Sequence, residues 1–369
     1  MTLITRLPEF PWDSLSAAAT RASAHPDGIV DLSVGTPVDA TPDIAVAALM
    51  AAADAHGYPA VWGTAALRQS IIGYLQRRWN ASGVLHDECV LPVIGSKELV
   101  GWLPTLLGLN ADDVVVIPTL AYPTYEIGAL SANCSVVRCD DPALAPAATK
   151  LIWLNSPANP HGAIICAKRL MQWVEVARRI GALLAVDECY GEFAWSGQPV
   201  SVLDYDICGD ELSGLLAVHS VSKRSNMAGY RAGFVAGDPK VVMELLGVRK
   251  HLGMMVAAPV QAALAAVLDD DAAVQAQVER YRARRNMLKP ALEAAGFTIE
   301  HSAGGLYLWC TRNENCRASV DWLAQLGILV APGDFYGSTG IRHVRVALTA
   351  SDERIAAAVA RLKLKSPFL

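Results

Sequence analysis

The middle of the chain alternates short, almost wholly apolar runs with amphipathic stretches. Val114–Ile117 and residues 135–139, 151–154, 182–186, 215–219 and 233–236 are the apolar runs. Strands covered on both faces have no solvent side on which to place polar residues, so they read as runs of this kind. Between two of them, residues 167–180 carry apolar side chains at helical spacing. Strand and helix in alternation predict an α/β architecture, with a mostly parallel central sheet flanked by helices.

After about residue 257 the pattern changes. Residues 272–295 read as one long helix with Arg280, Arg282, Arg284 and Arg285 clustered on it. Short strands follow near 304–310 and 343–348, with helices at 320–326 and 352–364. That predicts a smaller α+β domain packed on the first. The expected division is an N-terminal arm and part of the small domain in 1–38, the large domain in 39–256, and the small domain in 257–369. The alanine-rich stretch 44–53 reads as a short buried helix, and Asp269, Asp270 and Asp271 as a loop feeding the long helix.

Composition narrows the function classes. The 369 residues are 53% hydrophobic, enough for a large core and more than one domain. The net charge is −5 with basic residues dispersed, which argues against a nucleic-acid partner. No run of about eighteen apolar residues supports a membrane span, and the first residues lack the basic and apolar regions of a secretory signal. The eight cysteines are scattered, with no C-x-x-C pair and no zinc spacing. A reduced, cytoplasmic chain without a metal site is the expectation.

Four segments carry candidate chemistry. Lys223 lies just past the apolar run 215–219, preceded by Ser220 and Ser222 and followed by Gly229, Arg231 and Gly233. A lysine near sheet ends can be desolvated into a Schiff-base amine, while Ser220 and Arg231 suit a phosphate. Asp187 ends another apolar run, where a carboxylate can keep a pyridinium nitrogen protonated. Asn159 sits in the rigid turn Asn155-Ser156-Pro157-Ala158-Asn159-Pro160-His161-Gly162, placed to donate to a ring oxygen. Gly95-Ser96-Lys97-Glu98 opens a helix, a place where free N–H groups attract anions. Each segment alone also fits a plainer reading: a surface lysine, a capping or magnesium-binding aspartate, a turn, an ordinary helix start.

Taken in order, the segments resemble the fold-type I, class I/II aminotransferases that use pyridoxal 5'-phosphate (PLP). The likeness runs over nearly the whole chain and rests on Ser-x-Ser-Lys with Gly-x-Arg-x-Gly, the Asn-Pro-x-Gly turn and the Asp-x-x-Tyr strand end. It implies that Lys223 holds PLP as a Schiff base and shuttles the proton. Asp187 then pairs with the pyridine nitrogen, and Tyr190 and Asn159 contact the ring oxygen. Ser96, Lys97, Ser220 and Arg231 surround the phosphate, Tyr122 stacks on the ring, and Arg345 binds the substrate α-carboxylate. Tyr58 matches a tyrosine that reaches the neighbouring subunit's phosphate, which implies a homodimer, and Gly35 matches the substrate-side loop. His161 stands where the family usually has threonine.

Further motifs resemble the actinobacterial-type N-succinyldiaminopimelate aminotransferases. They are Gly95 to Leu99 with Trp102 to Leu109, residues 121–125, residues 222–233 and the opening Leu7-Pro8-Glu9-Phe10-Pro11-Trp12-Asp13. That resemblance implies L-glutamate as amino donor and N-succinyl-2-amino-6-oxopimelate as keto acceptor. An acceptor anionic at both ends needs a second cation, for which Lys97, Arg224, Arg249, Lys250 and Arg6 are candidates. A PLP-dependent C–S β-lyase or an aminotransferase for other amino acids fits the same cofactor residues. A PLP-binding transcriptional regulator would need a DNA-binding module, for which there is no room ahead of Gly35.

Overall fold

The apolar runs assemble into one seven-stranded sheet in the computed structural model, which describes residues 7–364. A short strand β1 (Val30–Asp31) precedes it. The sheet contains β2 (Val90–Val93), β3 (Val114–Ile117), β4 (Ser135–Arg138) and β5 (Thr149–Asn155). It is completed by β6 (Leu183–Asp187), β7 (Leu215–Ser220) and β8 (Gly233–Gly237). The strand order is β2-β8-β7-β6-β5-β3-β4. Strands β3 to β7 pair in parallel, and β8 runs against both of its neighbours.

Every residue of β6, β7 and β8 is buried. Successive side chains of a strand alternate between faces, and on β5 Ile152 and Leu154 enter one hydrophobic cluster while Leu151 and Trp153 enter another. The helix Ala167–Ile180 seals the first face with Leu170, Trp173, Val174 and Ala177, and ends at Gly181 in the left-handed region. The helix Ser96–Leu106 covers the second face with Leu99, Val100 and Leu103. β2 is an edge strand and contains Pro92, a residue that edges tolerate because no partner needs its missing N–H.

The smaller domain holds β9 (Thr298–Glu300), β10 (Tyr307–Thr311), β11 (Ile328–Leu329), β12 (Ala331–Pro332) and β13 (Val344–Ala347). Four of them form an antiparallel sheet in the order β12-β13-β10-β9, while β11 pairs in parallel with β1. Residues Leu15, Ala18, Ala22, Val30 and Leu32 from the N-terminal segment share its core. The helices Asp271–Ala294, Cys316–Gln325 and Asp352–Lys363 surround it, with Asp270 and Ser351 capping the first and last. The helix Ala258–Leu268, beyond the expected division at residue 257, buries Ala263, Leu264, Val267 and Leu268 in a cluster under the large sheet.

One expectation needs correcting. The stretch 44–53 is helical as Asp43–Ala51, but Ala45 is its one buried residue. Ile44, Val46 and Met50 remain 44%, 39% and 73% exposed. A helix that is apolar all round cannot turn every side chain to a single neighbour, and this one packs chiefly on Ala258–Leu268. Among the described residues no helix is long and apolar enough to cross a membrane.

Candidate active site

Strands β5, β6 and β7 end at Asn155, Asp187 and Ser220, and the residues just beyond them converge on a cavity of roughly 650 Å³. This is where an open parallel sheet binds ligands, because the loops there diverge and leave a crevice. Arg345 and Tyr307 wall the cavity from the small domain, and residues 7–12 and 34–36 from the N-terminal segment. Lys223, Asp187, Tyr190, Asn159, Tyr122, Ser96, Lys97, Arg345 and Gly35 all line it.

Lys223 rides on the one-turn helix Val221–Arg224. Ser220 caps that turn: its Oγ accepts the Ser222 N–H at 3.2 Å and donates to Ser222 Oγ at 3.0 Å. The lysine Nζ stands 6.0 Å from the centre of the Tyr190 ring. Asp187 is 5% exposed. Its Oδ2 accepts from the Tyr125 hydroxyl at 2.9 Å and its Oδ1 from the Cys189 N–H at 3.1 Å, so both oxygens are fixed in direction. Burial, then the Asp187 charge, pushes the Tyr125 phenol well above its ordinary pKa, which keeps it a donor.

Asn155 holds the turn that follows it. Its Nδ2 donates to the Asp187 carbonyl at 2.8 Å and its Oδ1 accepts the Asn159 N–H at 2.7 Å. Asn159 in turn accepts from Arg345 Nη1 at 2.9 Å, which leaves its Nδ2 as the group able to donate. Arg345 is 2% exposed, donates Nη2 to the Ser33 carbonyl at 2.7 Å, and lies 3.9 Å from the Tyr307 ring centre. Its Nε has no protein partner. A buried guanidinium with a free donor is costly unless an anion completes it, and a carboxylate has the matching shape.

Tyr190 and Tyr307 share a hydroxyl–hydroxyl contact of 3.1 Å, and burial together with that neighbour raises the Tyr190 pKa well above its usual value. Burial also raises Tyr122, with nearby Lys223 opposing. Gly35 has no side chain for a steric reason: a Cβ there would collide with the Tyr307 hydroxyl.

At the start of Ser96–Leu106, Gly95 has φ +76° and the Arg231 guanidinium lies where its Cβ would be. A cation and a helix N-terminus thus meet from independent elements, an anion cradle by both charge and N–H supply. An amine, a fixed carboxylate beneath the cavity, an amide donor and this cradle are the donor set that PLP requires.

Three residues implied by the resemblance do not line the cavity. Ser220 and Arg231 are not among its lining residues, Ser220 being buried and Arg231 exposed, and Tyr58 is 99% exposed on the surface. The candidates for a second cation separate clearly. Arg249 is fully buried against Glu98, with Nη1 and Nη2 at 2.9 and 3.2 Å from its oxygens. Arg224 is buried over the Tyr74 ring and donates to the Val267 carbonyl. Both are therefore structural, and Lys250 lies away from the cavity on an exposed helix position. Arg6 lies outside the described residues. Lys97 remains, lining the cavity with its Nζ 5.9 Å from the Phe10 ring centre.

Sequence reasoning assigned no role to Asn155, Tyr125, Cys189, Tyr307 or the Phe10 and Trp12 rings. Tyr125 and Asn155 fall inside motifs singled out for their neighbours. Tyr307 has no local signal, since the small domain brings it to the site.

The family model for aminotransferase class I and II matches residues 27–362. The chain is 58% identical over 357 residues to a probable aminotransferase, Rv1178, of Mycobacterium tuberculosis, covering 96% of this chain and 85% of the relative. It is 53% identical over 357 residues to the 4-dedimethylamino-4-oxo-anhydrotetracycline transaminase OxyQ of Streptomyces rimosus, covering 96% and 99%. Substrate-bound BacF from Bacillus subtilis superposes with a TM-score of 0.88 at 26% identity, over 100% of this chain and 98% of BacF. A match over most of the chain, on a site with the donor set of the cofactor, makes this protein a PLP-dependent member of the class I and II aminotransferases.

Proposed function

We propose that this aminotransferase moves an amino group from L-glutamate to N-succinyl-2-amino-6-oxopimelate, yielding N-succinyl-LL-2,6-diaminopimelate and 2-oxoglutarate. The product would feed lysine and cell-wall precursor synthesis in the cytoplasm. PLP supplies an electron sink for the bond broken at the substrate α-carbon.

In this reading the residues divide the work. Lys223 Nζ would hold the cofactor, and as a free amine in the same cavity it would carry the proton away from the substrate α-carbon. Asp187, fixed by Tyr125 and the Cys189 N–H, keeps a proton on the ring nitrogen. Tyr190 and the free Nδ2 of Asn159 donate to the ring oxygen, and Tyr122 covers the ring face. The N–H groups of Ser96 and Lys97, the Ser220 hydroxyl and Arg231 take the phosphate, joined by Tyr58 of the partner subunit in a homodimer. Arg345 binds the α-carboxylate beside Gly35.

The observation that carries the substrate class is Lys97. It lines the same cavity as Arg345, and among the described residues no carboxylate pairs with it. A substrate with carboxylates at both ends would satisfy both cations. A second reading has its own support: the rings of Phe10, Trp12, Tyr122 and Tyr307 line the cavity and suit a bulky cyclic ketone, the substrate type in the name of OxyQ.

The test is an absorbance titration of the PLP-loaded protein with N-succinyl-LL-diaminopimelate, beside N-acetylornithine, methionine and tyrosine. Conversion to the pyridoxamine form is expected at far lower concentrations of the succinyl compound. A stronger response to another amine overturns the substrate while leaving the enzyme class intact. Pyruvate and ammonia released from cystathionine would indicate β-elimination instead.

A further inference from the structure

Three residues beyond Lys223 the backbone takes a left-handed step at Asn226, φ +50°. From there a line of hydrogen bonds crosses to the small domain. Asn226 Nδ2 donates to the Ala40 carbonyl at 3.1 Å and to Gln277 Oε1 at 2.9 Å, and the Asn226 carbonyl accepts from Thr41 Oγ1 at 3.1 Å. Gln277, on the helix Asp271–Ala294, donates Nε2 to Asp39 Oδ2 at 2.8 Å.

Two turns further along the same helix face, Arg284 grips both oxygens of Asp39 at 2.6 and 2.8 Å. Its Nε continues to Asp352 Oδ1 at 2.6 Å, at the start of the last helix. The Arg284 side chain is 2% exposed and that of Asp39 12%, whereas that of Asp352 is 72% exposed. Burial alone would raise the Asp39 pKa, but the Arg284 and Gln277 hydrogen bonds outweigh it and hold the carboxyl below its usual range.

Asp39 ends the segment whose Ser33 carbonyl accepts from Arg345 and whose Gly35 lines the cavity. The network therefore joins the turn bearing Lys223 to the segment that steadies Arg345. We propose that Asp39, Gln277 and Asn226 are positioning residues, a strut that fixes the spacing between Lys223 and Arg345 across the two domains. This rests on the reading of Arg345 as the carboxylate site. The reacting amine and the carboxylate anchor sit on different domains, and misplacement of about 1 Å between them is costly to catalysis. None of the three residues lines the cavity.

The test uses the PLP-loaded enzyme and its own amino donor. Asp39→Asn, which keeps the shape but loses the charge, is expected to raise KM about tenfold, the weight of one charged hydrogen bond. The same variant should lower kcat less than about threefold, leave the PLP Kd unchanged, and speed hydrogen exchange across residues 33–41. Gln277→Leu keeps the Asp39–Arg284 pair but removes the Gln277 bonds to both Asp39 and Asn226, so it should raise KM by about threefold. Asp352→Asn, at the exposed arm, should leave KM unchanged.

A lowered melting temperature with KM and exchange at 33–41 unchanged in both Asp39→Asn and Gln277→Leu would make the network merely stabilising and overturn the proposal. Arg345→Lys separates the two readings. If it leaves KM unaltered, the assignment of Arg345 fails, whatever Asp39→Asn does.

Discussion

His161 shows how a single half-buried side chain sets a pH limit. It occupies the turn after Asn159, its Nδ1 has no partner, and its ring meets His301 edge-on at 5.2 Å between centroids. Burial, helped by His301 and opposed by Asp140, pushes its pKa down to about 4. In the unfolded chain a histidine titrates near 6.5. Between those values the unfolded state binds a proton that the folded state refuses, so stability is full above about pH 6.5 and falls as pH drops toward 4. The loss is about 3 kcal/mol at most. His161→Thr should remove it: urea midpoints at pH 7 and pH 4.5 should lie closer together for the variant than for the parent. An equal drop in both would assign the acid sensitivity elsewhere. Asp187 is held by geometry: the Tyr125 hydroxyl and the Cys189 N–H fix where its two oxygens point.

At the scale of elements, the anion cradle depends on how one helix begins. Ser96–Leu106 starts from Gly95 at φ +76°, and the missing Cβ is what lets the Arg231 guanidinium close on the first turn. Gly95→Ala would add about 1–2 kcal/mol of backbone strain and displace Arg231. The expected result is PLP affinity weakened about tenfold or more, measured by equilibrium dialysis, with the circular dichroism of the sheet and helices retained. Unchanged affinity would mean that the phosphate sits elsewhere. The edge strand β2, which leads into this helix, was not legible in the chain because Pro92 interrupts its pattern, and an edge is where that interruption is tolerated.

At the scale of the whole molecule, the surface carries an unfinished feature. Tyr58 is 99% exposed, and the helix Asp43–Ala51 exposes Ile44, Val46 and Met50. Val46 and Met50, one helical turn apart, form an apolar face of the kind that is normally covered, and a second copy of the chain would cover it if the contact also brought Tyr58 to a neighbouring phosphate cradle. Sedimentation at micromolar concentration should therefore find a dimer, and Tyr58→Ala should weaken PLP binding without dissociating it. A monomer that keeps full PLP affinity would contradict the shared site.

By itself the sequence determined the α/β class and the strands at the sheet centre, and through the family resemblance it singled out Lys223, Asp187, Asn159 and Arg345, which all line one cavity. Doubly covered strands leave an unbroken apolar run, and Asp187, Asn159 and Lys223 lie at or just past the ends of such runs, where a short polar motif stands out. Only the tertiary structure decided how those motifs meet. Asn159 bonds to Arg345 from 186 positions away, and Tyr307 reaches Tyr190 from 117. It also separated Lys97, which faces the cavity, from Arg224 and Arg249, which pair inside the core. All three are basic residues in plausible places along the chain. What distinguishes them is the local balance of desolvation and pairing, which exists only once distant segments have packed together.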